Sequence, residues 1–141
     1  MIRLATAAAA LLLTAAPALA QSADNKVVLT FNTGARTGTV MVALFDSAAS
    51  FDGRSGQPVA STAVNASGRV VATFESLPAG DYAVKAFHDV NGDGEMNTNP
   101  FGMPIEPYAF SNNAVGNMGP ARWTAAHFAV SGETAQTISI R

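Results

Sequence analysis

The chain has 141 residues, 48% hydrophobic and 13% charged, with 8 basic residues, 10 acidic residues, 2 His and no Cys. Setting aside residues 1–20, whose single charge is Arg3, leaves 7 basic against 10 acidic residues, a net charge of −3 that excludes the basic footprint of a nucleic-acid binder. The lack of Cys excludes thiol chemistry, thiolate metal sites and disulfides.

Arg3 supplies a short positive start, residues 4–16 form an uncharged apolar stretch, and Pro17-Ala18-Leu19-Ala20 ends in the small-x-small pattern that a signal peptidase cleaves. Residues 1–20 are therefore expected to be a cleaved signal peptide, and residues 21–141 one exported domain, periplasmic or secreted. The uncharged stretch Leu4 to Ala20 is interrupted by Pro17 and rich in weakly apolar Ala, which argues against a membrane span once the signal is removed.

In the mature chain, Lys26 to Asn32 alternates Val27, Leu29 and Phe31 with polar residues, the pattern of a half-buried strand. The turn cluster Thr33 to Gly38 leads to Thr39–Phe45, apolar on both faces as a central strand is. Asp46 to Pro58 reads as a polar loop, Val59 to Val64 as a weak strand, and Arg69 to Glu75 as a one-sided strand. Leu77 to Asp81 is a tight turn into a strand at Tyr82 to His88, and Tyr82 is placed to act as a tyrosine corner. Strand patterning resumes at Trp123 to Val130, with Trp123 in the core, and at Thr137 to Arg141. No stretch has sustained helical periodicity. About seven short strands predict an all-β antiparallel sandwich of Ig-like or transthyretin (prealbumin)-like type, with one long irregular loop over residues 89–122.

That loop holds six Asn, five Gly and four Pro, and between Ala86 and Ala121 it carries Asp89, Asp93, Glu95 and Glu106 without one Lys or Arg. Carboxylates crowded together repel unless solvated or neutralised. Asp89-Val90-Asn91-Gly92-Asp93-Gly94 matches the first half of a calcium-loop pattern, with oxygen ligands at alternate positions and a glycine for the sharp turn. The ligand set would be Asp89, Asn91, Asp93, the Glu95 carbonyl and Asn97, with Glu106 as a remote closing ligand. Pro100 stands where an EF-hand has its bidentate Glu, so the loop is not an EF-hand. Calcium, if bound, falls in the weak class of about 10⁻⁴ to 10⁻³ M. The competing reading is a solvated Asn/Asp/Gly turn after a strand.

The run from Leu77 to Val84, then Phe87-His88-Asp89-Val90-Asn91-Gly92-Asp93-Gly94, Gly102 to Glu106, Tyr108-Ala109-Phe110-Ser111-Asn112-Asn113-Ala114, Gly119-Pro120 and Ala126-His127-Phe128 resembles the DUF2141 family. The resemblance covers essentially the whole mature chain. It implies a prealbumin-like β-sandwich and an extracytoplasmic bacterial location, and it carries no known activity.

Ser111, Asn112 and Asn113 read either as turn and cap residues or as a ligand-facing amide patch. His88 and His127, each expected within a strand, would have to meet across a sheet to do chemistry together. Gly53-Arg54-Ser55-Gly56-Gln57 lacks the second glycine of a hydrolase elbow, and no dinucleotide fingerprint follows Gly92. The sequence therefore points to a non-enzymatic exported module, binding or structural, with a protein or glycan partner and no catalytic residues. The alternative is a small periplasmic hydrolase or isomerase using His88 or His127 with Asp89.

Overall fold

The structure, a computed structural model, describes residues 24–35 and 37–141; the signal peptide expected at residues 1–20 lies outside the described residues. Eight strands form: β1 (Asn25–Asn32), β2 (Thr39–Phe45), β3 (Ala60–Asn65), β4 (Val70–Leu77), β5 (Gly80–Asp89), β6 (Tyr108–Phe110), β7 (Phe128–Val130) and β8 (Glu133–Ser139). Two one-turn helices, α1 (Ala48–Phe51) and α2 (Trp123–Ala126), and a 3-10 turn at Ser111–Asn113 are the other elements among the described residues. Strands β4-β1-β8 make one sheet, and β3-β2-β5-β6, with β7 also paired to β5, make the other.

The period-two pattern decides what lies between the sheets. Val27, Leu29 and Phe31 of β1 meet Val40, Val42 and Leu44 of β2 and Val84 and Ala86 of β5, all buried in one cluster. At the start of β5 the buried Tyr82 donates its hydroxyl to the Pro78 carbonyl at 2.8 Å, the expected corner, and burial pushes its pKa up, with Asp46 adding to the effect.

The alternate residues of β2 and β5 point the other way, and at one end of this face they are covered. Phe45 and Ala83 pack with Phe51 of α1, Phe110, Ala121 and Ala126 into a second apolar cluster, with Trp123 against it. Phe51 makes edge-on aromatic contacts with Phe45, Phe110 and Trp123 at centroid distances of 5.5 to 6.1 Å. This explains why the 39–45 run is apolar on both faces.

Several elements differ from expectation. Strand β1 pairs with β8 in parallel, from Lys26↔Glu133 to Asn32↔Ser139, within an otherwise antiparallel fold. The last strand begins at Glu133, not Thr137, because its polar positions are held by pairing with β1. The expected strand at Trp123 to Val130 is α2 followed by β7: the Asp52 carboxylate accepts the Trp123 N–H at 3.0 Å and caps the turn from 71 residues away. Trp123 therefore starts a helix, half-buried in the second cluster, and His127 follows that helix. Inside the loop expected to be irregular, Tyr108–Phe110 forms β6 on the edge of β5. Inside the expected loop Asp46 to Pro58, Ser47 caps α1, its Oγ accepting the Ser50 N–H at 3.4 Å.

Candidate functional site

Strand β5 ends at Asp89, whose buried carboxylate turns back into the loop that follows. Its Oδ1 accepts the N–H groups of Gly92 (2.7 Å) and Asp93 (3.2 Å), and its Oδ2 accepts that of Gly94 (2.7 Å). Gly92 and Gly94 sit at φ +77° and +81°, which lets successive N–H groups face one carboxylate. Asp93 Oδ2 accepts from the side-chain amides of Asn91 (3.2 Å) and Asn97 (2.8 Å), and its Oδ1 accepts the Glu95 N–H (2.9 Å). These bonds, the Asn97 amide first, hold the Asp93 carboxyl below its usual pKa.

Glu106 reaches the same loop. Its Oε1 accepts the Val90 N–H and its Oε2 the Asn97 N–H, both at 3.1 Å, and the side chain is buried. The residues named as calcium ligands thus do gather, but the carboxylates of Asp89, Asp93 and Glu106 are taken up by N–H donors. The charge surplus of the segment is answered by backbone and amide dipoles. Among the described residues no group of three or more His, Asp and Glu stands together as a metal-binding set.

Ser111 is fully buried. Its Oγ donates to the Ala126 carbonyl at 2.6 Å and accepts the Val84 N–H at 2.8 Å. Asn112 and Asn113 hold left-handed φ values of 59° and 50°. The Asn112 amide donates to the carbonyls of Ala125 and His127, and the Asn113 amide to that of Thr137, while Asn113 Oδ1 accepts the Ser139 N–H. This segment staples β6 to β5, α2 and β8. Asn113 also borders a recess of about 330 Å³ beside Tyr108 and Arg141.

The two histidines stay apart. His88 is buried on the inner face, Nε2 2.6 Å from the Thr37 carbonyl oxygen. His127 is exposed, stacked on Trp123 at 5.5 Å with Nδ1 2.9 Å from the Trp123 carbonyl oxygen. Phe128 pairs with Tyr82, six residues before His88 on β5, so about 20 Å of strand separates the two imidazoles. As strand neighbours, His88 and Asp89 point to opposite faces.

A large concavity lies on the outer face of the β3-β2-β5-β6 sheet. Its floor is built of two cross-strand rows, Ala63-Met41-Phe87-Tyr108 and Ser61-Ala43-Lys85-Phe110. Segments of the long loop, carrying Met96, Met103 and Met118, wall it on the solvent side. The groove encloses about 1230 Å³. Four of the five methionines of the chain line it; the fifth is Met1. Of its lining, Met103 and Met118 are exposed, Met118 fully, and Phe101 and Ile105, which flank the lining residues Gly102 to Pro104 in the chain, are exposed as well. Sequence reasoning missed this groove; the one available signal was the apolar outer parity of β2, read there as the mark of a central strand.

Comparison with known families matches residues 30–139 to the family described as an uncharacterized protein conserved in bacteria (DUF2141). The chain belongs to the DUF2141 family. Neither the curated proteins nor the solved structures give a match. The segments that carry the DUF2141 resemblance have separable structural jobs. His88 to Gly94 forms the self-bonded loop, Gly102 to Pro104 and Gly119-Pro120 line the groove, and Tyr108 to Ala114 supplies the edge of its floor and the staple. Among the described residues no helix is long and apolar enough to cross a membrane.

Proposed function

We propose that this DUF2141 protein is an exported, non-enzymatic binding module, periplasmic or secreted, and that the groove on its outer sheet face is the binding surface. The observation that carries this reading is the groove itself: an apolar concavity above the usual small-ligand range of about 300–1,000 Å³, floored by a rigid sheet and walled by a methionine-bearing loop. Unbranched thioether side chains adapt to varied apolar shapes, a property of permissive binding surfaces. The lining offers few polar groups, which favours a hydrophobic ligand over the glycan or protein partner that the sequence suggested. Export is supported by the signal-like pattern of residues 1–20.

The hydrolase or isomerase alternative draws no support from the side chains it needs, since His88, His127 and Asp89 are each engaged elsewhere and none lines the groove. Calcium at the Asp89–Asn97 loop, the ion the sequence suggested, is not part of this reading. The test of the groove uses the neutral fluorophore N-phenyl-1-naphthylamine with the purified protein. A blue-shifted rise in emission is expected, and Met41→Glu, with an unchanged melting temperature, should abolish it. No rise with the wild-type protein overturns the reading.

A further inference from the structure

Among the described residues that line the apolar groove, one is charged and none is acidic: Lys85 stands in the floor between Ala43 and Phe110. Its ammonium lies 5.1 Å from the Phe45 ring centroid and 4.8 Å from that of Phe51. Ring faces supply a diffuse negative potential, but they do not replace a charged acceptor. The ion pairs among the described residues are Lys26 with Glu133 and Arg54 with Asp52, so neither uses Lys85. Asp52, the carboxylate that acts on Lys85 from a distance, is already bonded to Arg54 and to the Trp123 N–H. Half-burial holds the Lys85 pKa below its ordinary value, with Asp52 opposing the shift.

A half-buried cation without a counter-ion is best satisfied by an anion that brings its own apolar body, because the pair then forms in an environment where charge attraction is poorly screened. We infer that the groove takes a long-chain fatty acid, its carboxylate on Nζ of Lys85 and its hydrocarbon chain along Met41 and Phe87 beneath Met96, Met103 and Met118. This rests on the groove being the binding surface. A cationic amphiphile would meet Lys85 as a like charge, and a neutral one would leave the ammonium unpaired. The flexible chain suits a thioether-lined wall that can repack around it, and a groove of about 1230 Å³ gives it length to extend.

The experiment compares oleate with oleyl alcohol, the same chain without the charge, at submicellar concentration by isothermal titration calorimetry. Wild-type protein should bind oleate about tenfold more tightly than the alcohol. Lys85→Met should abolish the preference, so that oleate and the alcohol bind alike, and Lys85→Arg should restore it. Melting curves confirm that each variant is folded. Equal binding of the two ligands by wild type, or a preference that survives in Lys85→Met, overturns the fatty-acid assignment. If the neutral fluorophore binds while oleate has no advantage, the groove reading stands and the fatty acid alone is overturned. If neither oleate, the alcohol nor the fluorophore binds, both fall.

Discussion

The Oγ of Ser111 donates to the carbonyl of Ala126 at 2.6 Å, and the same oxygen accepts the N–H of Val84. One buried hydroxyl thus ties the edge strand β6, the helix α2 and the central strand β5 together. Ser111→Ala leaves a buried acceptor and a buried donor without partners, so a loss of about 2–4 kcal/mol in unfolding free energy is expected. Urea denaturation measures it. Because Tyr108 and Phe110 precede Ser111 on β6, fluorophore binding in the groove should weaken in the same variant.

Gly38 stands at φ +78°, where a side chain would collide with the Asp89 carbonyl oxygen and come within 2.8 Å of the Val90 Cα. The turn between β1 and β2 here packs backbone against backbone at the origin of the acidic loop. Gly38→Ala should cost about 3 kcal/mol or more, from strain and clash together. Gly34→Ala, four residues earlier with open space around it, serves as the control and should shift the denaturation midpoint little.

Raising the pH should stabilise the protein through Lys85. Its folded pKa lies below the ordinary 10.5, so in the window between the two values the unfolded chain binds more protons. Stability contributed by this residue therefore rises as pH climbs through the folded value towards 10.5. The difference between wild type and Lys85→Met, followed by melting temperature across alkaline pH, isolates the effect. Bound oleate should diminish it, by favouring the charged ammonium.

The acidic loop shows the same sign of dependence at the other end of the scale. Asp93 titrates below the ordinary 3.8, so its contribution is present above that value and is lost as pH falls through the folded pKa. Hydrogen exchange of the Glu95 N–H, which Asp93 holds, should accelerate in that acid window.

Since the loop closes on its own donors, a chelator and millimolar calcium should give the same melting temperature. A rise of several degrees with calcium, reversed by chelation, would instead establish a cation at Asp89, Asn91, Asp93, Asn97 and the Glu95 carbonyl. Glu106→Ala removes the acceptor of the Val90 and Asn97 N–H groups and should loosen the loop with or without the ion.

What was legible in the sequence was whatever neighbouring residues decide. The alternation in Val27, Leu29 and Phe31, the two-sided apolar run of Thr39–Phe45 and the turn before Tyr82 each identified a strand or corner that forms. What escaped notice depends on partners distant in the chain. Asp52 starts α2, Ser111 and Asn112 hold its carbonyls, and the edge of β5 recruits Tyr108–Phe110 from a segment whose Asn, Gly and Pro content spoke only of turns. The site divided in the same way. The acidic cluster was visible as a spacing, but the N–H groups that satisfy it belong to a backbone whose path no spacing specifies. The four groove methionines come from widely separated segments and converge only once β2 pairs with β5.

The parallel pairing of β1 with β8 bears on how the molecule reaches this state. Lys26 is registered with Glu133, so one edge of β1 stays open until a segment more than 100 residues later has been synthesised. A closure of that span costs much entropy before its contacts are gained, which slows folding. Early hairpins such as β2 with β3 can form and dissolve, but they cannot complete the sheet opposite. The three-stranded sheet is therefore the last layer to close, and the apolar face of β1 waits for residues 133–139 before it is fully covered.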